Sequence, residues 1–66
     1  MTPIRIANEF ADVELRVVST RNGDRLEISS HRRGSSIQLD PVELEALTWQ
    51  TKDTFTSMLE ASIGPA

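Results

Sequence analysis

Few side chains here are of a type that does chemistry, and their spacing limits what each can do. His31 is the single histidine. It could act as acid, base or metal ligand, yet acid-base work needs a positioned partner and a metal needs several ligands. It stands beside Arg32 and Arg33 in a polar stretch and reads as a solvated loop histidine. Ser29, Ser30, Ser35 and Ser36 surround it, but none sits in a nucleophile-elbow pattern. Asp12, Glu14, Glu27, Glu43, Glu45 and Glu60 show no calcium-loop spacing, and paired catalytic carboxylates need a cleft that a chain this small does not enclose. They read as a solvated acidic surface. The expectation is no catalytic residue, no cofactor and no metal, hence a protein that is not an enzyme.

Two groups remain as candidates for binding. Arg16, Arg25, Arg32 and Arg33, with Arg21, form the one basic concentration, and guanidinium groups on a turn and a sheet face suit phosphates or carboxylates. The competing reading pairs them with Glu14, Glu27 and Asp24 across the sheet at modest energy. That reading is favoured, because no aromatic side chain sits on the strands beside them to stack a base. Trp49, the single tryptophan, falls about 100° from Leu44 at helical pitch, off the stripe set by Leu44, Leu47, Phe55 and Met58. It belongs to an interface or a kink, or else it widens a small core. Exposed Trp is enriched among binding hot spots, so Trp49, Leu44, Phe55 and Met58 are the candidate partner interface.

The elements that must position these residues follow from periodicity, which changes from two to about 3.6 near Asp40. Val13, Leu15 and Val17 alternate with Glu14 and Arg16, and Leu26 and Ile28 alternate with Arg25 and Glu27, the pattern of strands with one apolar face. This predicts strands over about 13–19 and 25–30. Asn22-Gly23 between them fits a two-residue type I′ turn, which would set Arg21 opposite Asp24 and Val17 opposite Ile28. Ser36-Ile37-Gln38-Leu39 predicts a strand over 36–39, after a polar turn around Gly34. Ile4-Arg5-Ile6-Ala7-Asn8 predicts a strand over about 4–8, confined by Pro3 to an edge or a strand start. Asp40, Pro41 and Glu43 supply an N-cap, a proline at the first helical position and a capping box. A helix over about 41–61 follows, one face packed on the sheet, with Gly64-Pro65 as its stop. The stretch 48–54 is poor in strong helix formers, which leaves room for a kink or break near Gln50. The fold class is α+β: a three- or four-stranded antiparallel meander followed by one C-terminal helix (β-β-β-β-α), in one small domain over 1–66.

Composition narrows the function further. At 66 residues with 38% hydrophobic and 5% aromatic side chains and no cysteine, the chain has neither the size for a large core nor a disulfide staple. A covering partner is expected, either a second copy as a homodimer or a larger enzyme subunit. A net charge of −3 argues against tight nucleic-acid or anionic-membrane binding. No apolar run reaches the ~20 residues of a membrane span, and Met1-Thr2-Pro3-Ile4-Arg5 lacks the apolar core of a signal peptide, so the expected location is cytoplasmic.

Arg21-Asn22-Gly23-Asp24-Arg25-Leu26-Glu27-Ile28, followed by residues 39–50 (LDPVELEALTWQ), resembles short bacterial proteins associated with aromatic-compound catabolic genes and loosely labelled dihydrodiol dehydrogenase, over about residues 4–59. Gly23, Gly34 and Gly64 make no dinucleotide-binding fingerprint. The resemblance therefore implies a context, an accessory protein or small subunit of an oxygenase-type catabolic system. The strand order, with Arg32-Arg33-Gly34 leading into Ile37-Gln38-Leu39-Asp40-Pro41, is also similar in architecture to the transcriptional-coactivator family that binds single-stranded DNA as a dimer. That likeness implies the alternative, a nucleic-acid-binding homodimer using Arg16, Arg25, Arg32 and Arg33. A third possibility is an enzyme that acts only within a shared site.

Overall fold

Alternating apolar and polar residues up to Leu39 make one sheet, and the change of period at Asp40 ends it. In the computed structural model, which describes residues 2–63, the strands are β1 (Ile4–Ala7), β2 (Asp12–Thr20), β3 (Gly23–Ser30) and β4 (Ser35–Leu39). They form a single antiparallel sheet in the order β1-β2-β3-β4. Two helices follow, α1 (Pro41–Leu47) and α2 (Lys52–Ile63). The α+β meander with a helical C-terminal part is thus present with all four strands, and β1 is an edge strand.

The register sorts side chains by chemistry. Ile4, Leu15, Ile28 and Ile37 make one cross-strand row, and Val17, Leu26 and Leu39 another on the same face. Arg5, Glu14, Ser29 and Ser36 form a row on the opposite face, as do Arg16, Glu27 and Gln38. Side chains alternate across a strand, so the central rows of one face are apolar, with Ser19 and Asp24 at one end and Ser30 and Ser35 at the other, and the opposite face is mainly polar.

The β2–β3 turn differs from the expected one. Thr20 is opposite Gly23 and Val17 opposite Leu26, so the loop is Arg21-Asn22 rather than Asn22-Gly23. No non-glycine residue described has positive φ, whereas Gly23 lies at +113°. A type I′ turn, which needs positive φ at both central residues, is therefore absent. The Thr20 hydroxyl selects the observed turn: it accepts from the Asn22 N–H at 3.2 Å and donates to the Gly23 carbonyl at 2.7 Å. Because the displacement moves each partner by two residues, the division into faces survives it.

Two other junctions are set by local hydrogen bonds. β1 ends at Ala7, one residue short of expectation. The Asn8 side-chain oxygen there accepts the N–H groups of Phe10 and Ala11 at 2.8 and 2.9 Å, and the Asn8 N–H donates to the Ala11 carbonyl at 2.8 Å. This Asx turn folds the chain into β2. Between β3 and β4 the loop 31–34 closes through Gly34 at φ +66°, whose N–H donates to the Ser30 carbonyl at 2.9 Å.

At Asp40 the anticipated cap is complete. The Asp40 carboxylate accepts the Glu43 N–H at 2.8 Å, the Glu43 carboxylate accepts the Asp40 N–H at 3.0 Å, and Pro41 opens the helix. The single helix expected over 41–61 is instead two, parted at 48–51. The Thr48 N–H and hydroxyl both donate to the Glu45 carbonyl, at 2.9 and 2.6 Å, and the Gln50 side-chain amide reaches the Ala46 carbonyl at 3.2 Å. These bonds satisfy the last carbonyls of α1 and end it. α2 then runs to Ile63, beyond the expected end near Ala61; Gly64-Pro65 lies outside the described residues.

The helices do not close a core. α1 adjoins β4 and meets the sheet at Val17 and Leu26 through Pro41 and Leu44, while α2 reaches the opposite end of the strands, where Leu59 shares a hollow with Asp12 and Ser30. Among the described residues no side chain, apolar or polar, is fully buried. The stripe Leu44, Leu47, Phe55 and Met58 is divided by the break at 48–51, and of its four residues only Leu44 is half-buried, the others being exposed.

Candidate interaction surface

The polar face of the sheet is a set of neutralised pairs. Arg5 on β1 donates to both carboxylate oxygens of Asp12 on β2, at 2.8 and 2.6 Å. The bidentate contact holds the Asp12 carboxyl below its usual range and raises the Arg5 guanidinium. In the next row the Gln38 amide at 3.2 Å and the Arg16 guanidinium at 2.7 Å both donate to Glu27, and these bonds, Gln38 first, hold its carboxyl low. Arg25 stands 3.7 Å from Asp40. His31 Nε2 lies 3.1 Å from a Glu14 oxygen, so this loop histidine has a carboxylate neighbour on the polar face, which the sequence reading did not assign. These exposed pairs organise the face more than they stabilise the chain.

The four arginines proposed for anion or nucleic-acid contact are not brought onto one surface. Arg16 and Arg25 already carry carboxylate partners; Arg16 takes Glu27, one of the three carboxylates expected to pair with the arginines, while Arg25 takes Asp40, which was not among them. Arg32 and Arg33 lie in the loop beyond Ser30, which roughly 17 Å of strand separates from Arg25, and within the described residues neither makes an ion pair. They share an open hollow of about 540 Å³ with Phe10, Ala11, Asp12, Ser30 and Leu59. Phe10, 79% exposed, is an aromatic neighbour of this loop. Composition alone offered no signal for it, because it sits on the β1–β2 turn rather than on a strand.

The apolar face is the larger feature. Ile6 and Ile37 are 58% and 56% exposed, and Ile4 and Val17 are also open to solvent. Of the proposed interface residues, Leu44 is half-buried and lines a shallow depression with Val17, Leu26 and Pro41. Phe55 and Met58 on α2 are exposed, and so is Trp49, at 66%, in the break between the helices. The structure therefore adds Ile4, Ile6 and Ile37 to the expected set. Their alternation was visible in the sequence, but that they stay open to solvent was not.

Among the described residues no group of three or more histidine, cysteine or carboxylate side chains is arranged to hold a metal, and no helix is long and apolar enough to cross a membrane. No family model matches the chain, and neither a curated protein nor a solved structure shows significant similarity to it.

Proposed function

We propose that this chain is a non-enzymatic protein-interaction module that works by presenting the apolar face of its sheet, with Leu44, Trp49, Phe55 and Met58 beside it, to a protein surface. One observation carries the reading: a sheet with central apolar rows on one face, in a chain with no fully buried side chain among the described residues. Contiguous exposed apolar surface on so small a chain marks an interaction site, because leaving it in water opposes folding. The partner is a second copy or a larger enzyme subunit. The resemblance of residues 21–28 and 39–50 to proteins accompanying aromatic-compound catabolism supports an accessory role in an oxygenase-type system. Nucleic-acid binding by Arg16, Arg25, Arg32 and Arg33 is the second reading. Phe10 beside Arg32 and Arg33, which make no ion pair among the described residues, favours it, while the pairing of Arg16 and Arg25 weighs against it.

Affinity capture from the native host, with the wild-type chain and an Ile37→Glu variant as baits, tests the proposal. The expected result is a protein, this chain itself or another, retained by the wild type and lost with Ile37→Glu. Equal retention by both baits, or retention only of nucleic acid, overturns it.

A further inference from the structure

Resting on that reading, we infer that the occupant of the apolar sheet face is a second copy of this chain, docked face to face about a two-fold axis. The first argument is area. A folded monomer of 7.4 kDa exposes about 4,200 Å², whereas this chain exposes 5660 Å². The excess of roughly 1,500 Å² over the whole chain exceeds the ~800 Å² per chain that a standard stable interface removes. The second argument is architecture. Domains are built from at least two packed layers, and here α1 meets the apolar face at Val17 and Leu26, while Ile4, Ile6 and Ile37 on the same face stay open to solvent. A second sheet about 10 Å away supplies the missing layer, as in a sandwich.

The third argument is charge. Each chain carries a net charge of −3, so two copies repel unless their contact excludes charge. The two apolar rows, Ile4-Leu15-Ile28-Ile37 and Val17-Leu26-Leu39, hold no ionisable group, the arginine–carboxylate pairs lie on the opposite face, and Asp24, hydrogen-bonded to Ser19, stands on this face only at the β2–β3 turn end, outside both rows. A neutral apolar patch is complementary to itself, which an isologous two-fold contact requires. Ile4 and Ile37 end one row at the two edges of the sheet, so both stand at the rim of the contact.

Sedimentation equilibrium of the purified chain, at concentrations up to about 100 µM, tests this, since a standard-sized contact holds well below that. The expected mass is twice 7.4 kDa. Ile37→Glu and Ile4→Glu, made at positions open to solvent in the single chain, each return it to the monomer mass, while Ser36→Glu, on the polar face of the same strand, leaves the dimer intact. Circular dichroism in the sheet region shows whether a variant still folds. A wild-type monomer at about 100 µM overturns the second copy, as does a dimer indifferent to both Ile→Glu changes. If the chain is monomeric, yet Ile37→Glu still abolishes capture of a host protein, the interaction module stands with a different occupant. If Ile37→Glu changes neither, the module falls with it.

Discussion

Replacing Gly23 by Ala tests the turn on which the β2–β3 register depends. Gly23 sits at φ +113°, outside both the right-handed and the left-handed helical regions, and a Cβ added there meets no atom within 4 Å. The cost is therefore backbone strain alone, about 1–3 kcal/mol for a residue held in a sparsely populated region. A gain of about 0.4–1 kcal/mol from the stiffer unfolded chain offsets part of it. The net loss is about 1–2 kcal/mol, which at ~4–8 °C per kcal/mol for a domain of this size lowers Tm by roughly 5–15 °C. Gly34 at φ +66° lies inside the left-handed region that Asn tolerates, so Gly34→Asn loses under ~1 kcal/mol. Asn22, at negative φ, accepts Ala within ~0.5 kcal/mol. Thermal melts at one fixed protein concentration compare the three. An equal loss for Asn22→Ala would return the loop to Asn22-Gly23, and an unchanged Tm for Gly23→Ala would refute the positive φ at Gly23 on which either turn depends.

Asp40→Ala removes both bonds of the capping box and lowers stability by about 1 kcal/mol, with a loss of helical circular dichroism; full retention of helix contradicts the cap. Asp12 and Glu27 have carboxyl pKa values lowered by folding, so their contribution is present above the unfolded carboxyl pKa near ~4 and disappears as pH falls through the lower folded values. Tm should therefore drop between about pH 5 and pH 2, and Asp12→Asn with Glu27→Gln should flatten that drop; an unchanged slope refutes the pairing. Trp49 is largely exposed in the single chain, so its fluorescence should shift to shorter wavelength on association, and an emission maximum constant across a 100-fold concentration range, on the order of the span of a dissociation curve, contradicts its place in the interface. Labelled single-stranded DNA at about 0.15 M salt should show no submicromolar binding; tight binding lost on Arg32→Ala or Arg33→Ala would move the nucleic-acid reading ahead.

The sheet was legible because its alternation is uninterrupted: Val13 to Val17 and Leu26 to Ile28 define a face whichever turn joins them, and an error of two residues does not disturb it. The turn type was not legible, because Asn-Gly satisfies a type I′ turn as well as it satisfies Asn before a glycine of positive φ. What separates these alternatives is the Thr20 hydroxyl, one residue outside the dipeptide. The capping box at Asp40 was readable from three adjacent residues. The helix break was visible only as a weak stretch, since the bonds of Thr48 and Gln50 that complete it compete with helix rather than forbid it. For the site, Trp49 was singled out by its angle from the stripe, whereas Ile4, Ile6 and Ile37 became candidates only when they were found open to solvent. Periodicity specifies an apolar face; what covers that face depends on tertiary packing.

Amide hydrogen exchange in β2 and β3, followed by mass spectrometry as the chain is diluted from about 100 µM to below about 1 µM, addresses the central claim directly. With no fully buried side chain among the described residues, the strand amides around Leu15 and Ile28 should be protected only while a protein surface covers the apolar face. Protection should fall with dilution and return when the captured partner is added. Strong protection that is the same at every concentration and indifferent to any partner would show that the single chain is stable by itself, and would contradict the account.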